Sequence, residues 1–333
     1  MRSFGKHTIK KNSKIIKFNL LAAFLLVTVV TFVLSGCSAN NKENADIKVV
    51  KENKIEDALQ DNESPDKPEE AEDQKTERVI ALSKSNAELW VLAGGKLVAT
   101  SDDALEIEGL DPDVISLGDM DHVSFEKIAA LNPDLLILFS TDPAQKALGE
   151  AAEGIGLNVY YTNIDGFSDY EKVMTEFTSK TERHDLYQKN VKDVRTEIDE
   201  VIGKASDKKL SGTYLCLHVS ATKQKVEKND YFACEIFNDL GLVNIASDTS
   251  AFDELSLEAI VTYDPDYIFV IPRGSEDKAL KSFTEIFSSQ PAWESLSALK
   301  NEKYFLLSKD LFGLKPNALW GEAYRQAYEL LYK

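Results

Sequence analysis

Two stretches of this chain follow one plan. Ser124-Phe-Glu126-Lys-Ile128-Ala-Ala-Leu131-Asn-Pro133-Asp134 and Ser256-Leu-Glu258-Ala-Ile260-Val-Thr-Tyr263-Asp-Pro265-Asp266 align without a gap, 132 residues apart, with Ser, Glu, Ile, Pro and Asp identical at five of eleven positions. Each leads into an uninterrupted apolar run, 135–139 and 267–271. A short apolar run bounded by turn residues fits a strand covered on both faces, as in a parallel sheet. The elements around the two stretches repeat as well. In the first half a β-like run (79–82) precedes a Ser-Lys-Ser-Asn loop, a helix-like segment (87–93) that stops at Gly94-Gly95, and a short strand (97–100). In the second half 213–219, 232–240 with its stop at Gly241, and 243–245 repeat that series. Such a chain folds as two related α/β lobes.

Between the lobes, Leu186, Val191, Val194, Ile198, Val201 and Ile202 recur at helical spacing, with no proline from 181 to 205 and no glycine before Gly203. This predicts a helix of about seven turns, roughly 35 Å long. The expected architecture is two Rossmann-like lobes, 78–180 and 207–333, each with a parallel-rich sheet flanked by helices, joined by one long interdomain helix at 181–206. A helix as the only link makes a stiff hinge, so closure around a ligand should be small.

The amino terminus predicts where the protein works. Arg2, Lys6, Lys10, Lys11, Lys14 and Lys17 come with no acid in the first 36 residues, and an apolar run at 18–34 follows. These are the first two parts of a secretory signal. The 17-residue run, about 25 Å as a helix, is at the short end of what spans a bilayer. The small residues of Leu34-Ser35-Gly36-Cys37 favour cleavage instead, and this tetrapeptide resembles the lipobox of bacterial lipoproteins. Residues 1–36 are therefore expected to be a signal peptide and Cys37 a lipidated N-terminus. Positions 38–77 hold 13 acids, six lysines, two prolines and no aromatic residue, a composition that cannot bury enough surface to fold. Residues 37–77 then act as an acidic tether with a reach of roughly 35 Å. With the six N-terminal cations removed, the formal charge of −18 becomes −24. That charge excludes nucleic acid as a partner and argues against electrostatic adhesion to anionic lipid. Cys216 and Cys234, the two remaining cysteines, fall in apolar surroundings and read as buried thiols.

Taken together, the lipobox, the acidic tether, the two lobes on one helix and the paired Ser-x-Glu and Pro-Asp motifs resemble the solute-binding lipoproteins of ABC importers for ferric siderophores, haem and cobalamin. Pro291-Ala-Trp293, Leu296 and Leu299-Lys300-Asn301-Glu302-Lys303-Tyr304-Phe305 match the family's ending, so the resemblance covers 78–333. One loop departs from it: Ser101-Asp102-Asp103-Ala104 replaces the family's aromatic-proline pair. The resemblance implies a monomeric receptor, lipid-anchored on the outer face of the cell membrane, with a metal chelate as ligand and no covalently bound cofactor. It also implies that Glu126 and Glu258 pair with arginines on an ABC permease dimer. A plainer role exists for both, since an acid in a helix's first turn behind a capping serine suits the helix dipole.

Ligand residues belong on loops beyond the carboxyl ends of strands, facing the crevice between the lobes. The candidates are Ser83, Lys84 and Ser85; Asp119, Met120 and His122; Ser140 and Thr141; His218 and Ser220; Arg273; and Asp310, Phe312, Asn317 and Trp320. Arg273 stands out because only Arg78, Arg183, Arg195 and Arg325 accompany it beyond residue 36. A guanidinium there suits a carboxylate or phosphate. Phe312 and Trp320 either cover an apolar ring or fill core. Two metal readings stand beside the chelate: a bare zinc or manganese site from Asp119, Asp121, His122 and His218, and an axial iron ligand from Met120, His122, His218 or a tyrosine. No G-x-S-x-G, H-E-x-x-H, Walker A or complete G-x-G-x-x-G motif is present, so an enzyme is not expected. A secreted hydrolase and a purely structural surface lipoprotein are the rivals. On the anchored reading, Cys37→Ser should move the protein from the membrane fraction to the soluble fraction, as checked by fractionation and immunoblotting.

Overall fold

In the computed structural model, residues 77–332 are described, apart from positions 248, 254, 288 and 289. The expected signal peptide, Cys37 and residues 37–76 of the tether lie outside the described residues. The N-terminal lobe holds β1 (Val79–Ala81), β2 (Leu97–Thr100), β3 (Ile115–Ser116), β4 (Leu135–Phe139) and β5 (Asn158–Thr162). They form one all-parallel sheet in the order β3-β2-β1-β4-β5. Helices α1 (Lys84–Leu92), α2 (Phe125–Ala130), α3 (Pro143–Gly154) and α4 (Phe167–Lys180) connect and cover it.

The C-terminal lobe repeats this with one addition. Strands β6 (Gly212–Val219), β9 (Tyr267–Pro272) and β10 (Tyr304–Leu306) lie parallel in the order β10-β9-β6. The far edge of β6 is shared between two strands. Its first part, 212–214, pairs in parallel with β8 (Leu242–Asn244), and its second, 216–219, pairs antiparallel with β7 (Gln224–Glu227). The hairpin β6–β7 has no counterpart in the first lobe. Helices α7 (Phe232–Asp239), α8 (Leu257–Tyr263) and α9 (Glu276–Phe287) follow, with short turns α10 (Pro291–Glu294) and α11 (Ser297–Lys300).

The repeated motif does the same work in both halves. The residue before each proline, Asn132 (φ 46) or Asp264 (φ 40), takes a left-handed conformation. Proline bars its predecessor from continuing a right-handed helix, so α2 and α8 end there. The aspartate that follows accepts the backbone N–H at the start of the lobe's first strand: Asp134 from Arg78 at 2.9 Å, Asp266 from Thr213 at 2.8 Å. The serines differ. Ser256 caps α8 by accepting the Ala259 N–H at 3.2 Å, whereas the Ser124 hydroxyl donates to the Glu126 carboxylate and caps nothing.

The connecting helix begins three residues later than its periodicity predicts. Thr181 closes α4 and Glu182 takes φ 56, which breaks the chain direction. Helix then runs from α5 (His184–Tyr187) through a π-helical turn (Gln188–Lys192) to α6 (Asp193–Lys208), ending at left-handed Lys209. The π turn has a purpose, because it turns Asn190 inward. Its side chain donates to Leu92 O at 2.8 Å while its own carbonyl accepts Tyr170 OH at 2.8 Å, fastening the helix to the N-terminal lobe. Helix α12 (Trp320–Tyr332) lies along α6, and Tyr332 OH donates to Ala205 O at 3.2 Å.

Strand alternation sorts the core into three parts. Val79, Ala81, Leu135 and Ile137 of one sheet, and Tyr214, Cys216, Tyr267 and Phe269 of the other, join the buried face of α6 in one continuous cluster. Their neighbours turn outward into separate clusters, Ile80, Leu136 and Leu138 in one lobe, Leu215, Leu217 and Ile268 in the other. Cys216 and Cys234 are buried free thiols, as their surroundings predict. Asn190→Ala leaves the Leu92 carbonyl unpaired and should lower the unfolding free energy by about 1–2 kcal/mol, read from urea denaturation with an unchanged slope.

Candidate binding site

The carboxyl ends of the central strands of both sheets deliver their loops to one crevice between the lobes. A cavity of about 510 Å³ lies across it, lined by Ser83, Lys84, Ser85, Glu88, Met120 and Phe139 from one side and by Tyr231, Phe232, Asp310 and 313–316 from the other. A second cavity of about 800 Å³ is built by the C-terminal lobe alone, from the β6–β7 hairpin, the end of β9 and Lys309. Tyr231, Gly313 and Leu314 line both.

Strained and buttressed backbone frames the first cavity. Ser83 has φ 83 and ψ 147, a conformation costly for any residue with a Cβ. Its N–H donates to Ser101 Oγ at 2.9 Å, and its own Oγ accepts the Asn86 N–H at 3.3 Å. The Ser101 hydroxyl in turn donates to Asp103 at 2.6 Å, and Asp103 accepts the Lys84 N–H at 2.9 Å. The loop that departs from the family pattern therefore braces Ser83 and Lys84 from behind, with Asp103 reaching the cavity.

Polar contacts cross the floor between the lobes. Fully buried Asn317 (φ 49) donates to Glu88 at 2.7 Å and weakly to Ser85 O at 3.4 Å. Burial pushes the Glu88 carboxyl up despite that bond. Lys315 Nζ donates to Ile164 O of the opposite lobe and lies 4.9 Å from the centre of the Phe232 ring. Burial lowers its pKa, against the pull of Asp165, Asp169 and Glu227. Tyr231 OH donates to Phe312 O at 2.6 Å, and burial raises its pKa far above the tyrosine range, so it stays protonated.

The second cavity is basic. Lys223, Lys225, Arg273 and Lys309 line it with one acid, Glu227. That acid is buried and already engaged, by His218 Nδ1 at 2.8 Å and Lys225 Nζ at 2.9 Å. Burial resists its charge, but these two bonds outweigh burial and hold the carboxyl below its ordinary value. Ser220 organises the hairpin turn, accepting the Lys223 N–H at 2.9 Å and donating to Lys223 O at 2.9 Å.

The structure sorts the sequence candidates. Ser83, Lys84, Ser85, Met120 and Asp310 line the interlobe cavity, and His218, Ser220 and Arg273 line the basic one. Ser140 and Thr141 are exposed just beyond Phe139, which itself faces the interlobe cavity. His122 projects into solvent beside Asp119, 3.6 Å away, and lines neither cavity. Phe312 and Trp320 have no exposed surface. Phe312 stacks on Phe237 at 6.0 Å, and Trp320 sits edge-on to Phe167 and Phe232 at 5.8 and 5.6 Å. Both are core, so neither is placed to cover a ligand ring, and Asn317 acts as an interlobe tie. Among the described residues, no three His, Cys, Asp or Glu side chains are grouped to hold a metal ion, and His122 and His218 do not converge. Lys223, Lys225, Glu227, Tyr231, Lys309 and Lys315 were missed. Nothing local marked the hairpin strand at 224–227, Tyr231 or Lys315.

Two duplicated α/β lobes on one helix, with their strand-end loops around a crevice, define a bilobal solute-binding protein. The chain belongs to the periplasmic binding protein family, whose model matches residues 79–311. It is 24% identical over 308 residues to the Fe(3+)-citrate-binding protein YfmC of Bacillus subtilis (strain 168), covering 87% of this chain and 90% of that one. It is also 24% identical over 244 residues to a vitamin B12-binding protein of Vibrio parahaemolyticus, covering 70% and 82%. Among solved structures, an ABC transporter substrate-binding protein from Listeria monocytogenes EGD-e superposes with TM-score 0.66 at 22% identity, over 78% of this chain and 99% of that one. S. aureus IsdE complexed with heme also gives 0.66, at 18% identity over 77% and 99%. These likenesses establish the shared fold.

The engaged state of Glu227 has a pH consequence. A carboxylate with a lowered folded-state pKa adds stability above the ordinary glutamate range and loses it as pH falls through the lowered value. The stability gap between the protein and Glu227→Gln should be full at neutral pH and shrink only below that range, as measured by urea unfolding across pH.

Proposed function

We propose that this protein is the extracytoplasmic receptor of an ABC importer, capturing a metal chelate in the interlobe cleft and passing it to the membrane permease. The observation that carries this reading is the pairing of a cleft between two duplicated lobes with one exposed glutamate at the same place in each lobe. Glu126 and Glu258 both stand in the first turn of the helix that precedes a central strand. Both are exposed, and the Ser124 hydroxyl holds the Glu126 carboxyl below its ordinary value, favouring its charge. Two acids at equivalent positions suit a partner with two-fold symmetry, where charge complementarity orients and accelerates docking. Capture works with little closure, because the connecting helix is embedded in the core shared by both lobes.

The cargo belongs to the class of iron chelates, haem and cobalamin for which the relatives are named. Cys37 carries the lipid anchor, and residues 37–77 span the distance from the membrane to the folded lobes. The receptor works as a monomer and carries out no chemistry on its cargo. Charge reversal of both glutamates, Glu126→Lys with Glu258→Lys, should abolish uptake and leave cargo affinity unchanged; a loss of affinity would sink the docking role. Thermal unfolding against haem, cobalamins, ferric siderophores, zinc and manganese tests the cargo. A ligand at about 100 times its Kd adds about 2.7 kcal/mol, whereas no shift across the panel would overturn the receptor reading.

A further inference from the structure

We infer that the cleft selects an anionic chelate and holds it in one orientation, its acidic groups in the basic cavity of the C-terminal lobe and the rest of its body in the interlobe cavity. The inference rests on the receptor reading and names the cargo's charge. Beyond residue 36 the chain carries −24, yet four cations and one acid line this cavity. The acid is spoken for: both Glu227 oxygens are bonded, one to His218 and one to Lys225. Lys223, Arg273 and Lys309 make no ion pair with any described residue, so their charge is directed at whatever enters.

Their backbones are fixed. The Arg273 N–H donates to Val219 O at 2.7 Å, tying the ends of β9 and β6, and Lys223 sits in the hairpin turn held by Ser220. A guanidinium rooted on a sheet is pre-organised for a carboxylate. The interlobe cavity has the opposite character. Asp103 and Asp310 offset Lys84 and Lys315 there, and Glu88 is bonded by Asn317, so it offers no excess of cations to a second cluster of acids. It offers apolar surface instead, including Leu314 and Leu319, which are 40% and 51% exposed. A cargo with its acids at one end therefore fits one way round, and a chelate with no net charge leaves three cations unmatched.

The test is equilibrium titration of the full chain in mild detergent with four probes: haem and ferric citrate, which are anionic, and cyanocobalamin and ferrichrome, which carry no net charge. An anionic probe should bind at least about tenfold tighter than either neutral one, and its affinity should fall as salt screens the cavity. Arg273→Gln and Lys223→Gln, both on exposed residues, should each weaken the anionic probe by about tenfold, as expected for a lost charge-assisted hydrogen bond. Lys204→Gln on the connecting helix should change nothing. A neutral probe that binds as tightly as the anions, or anion binding indifferent to both substitutions and to salt, overturns the charge assignment and leaves the receptor reading intact. Silence from all four probes overturns both.

Discussion

One apolar seam carries this molecule. It runs from the inner face of the first sheet, through the buried stripe of the connecting helix, to the inner face of the second. At its centre Trp320 meets Phe167 of one lobe and Phe232 of the other, and the Arg195 guanidinium lies 4.1 Å from the Phe167 ring centre. Separating the lobes would expose these rings to water, at roughly 25 cal/mol for each Å² uncovered. The seam therefore fixes the angle at which the two sets of strand-end loops face each other. The cleft above it is a preformed cavity, and the polar ties at Asn317 and Lys315 seal its floor.

A second constraint is electrostatic. Beyond residue 36 the chain is acidic overall, yet the cavity of the C-terminal lobe is lined mainly by cations. Glu227 makes that possible, because a buried carboxylate bonded to His218 and Lys225 anchors the hairpin without cancelling the cations around it. The hairpin is the part of the C-terminal lobe that the N-terminal lobe lacks. Duplication supplied the frame; Lys223 and Lys225 of the added hairpin, with Arg273 after β9 and Lys309 after β10, line one end of the cleft with cations.

Much of the frame was legible in the residues. The Pro-Asp pairs marked the helix ends and strand starts in both halves, since the conformation before a proline and the reach of an aspartate are local matters. The connecting helix was legible in its length but not its start, because left-handed Glu182 carries no strong sequence signal. The Ser-x-Glu motifs promised two equal caps, yet only Ser256 accepts an N–H of its helix, while the Ser124 hydroxyl turns to Glu126 and caps nothing. Phe312 and Trp320 lay on segments that border the cleft and proved to be core, because which side of a short helical turn faces inward depends on what packs against it. The loop at 101–104, which departs from the pattern that the resemblance implied, holds Ser83 in a conformation it would not adopt alone.

The chain by itself determined two α/β lobes, their order, the helix between them and the acidic background, because strand alternation, helical spacing and turn chemistry act over a few residues. Only the tertiary structure decided the cavity. Lys223, Tyr231, Arg273 and Lys309, the first and last of them 86 residues apart in sequence, meet because β6 pairs with β7 on one edge and β9 on the other. That registry is set by the burial of whole sheets, a sum over distant residues that no local pattern records.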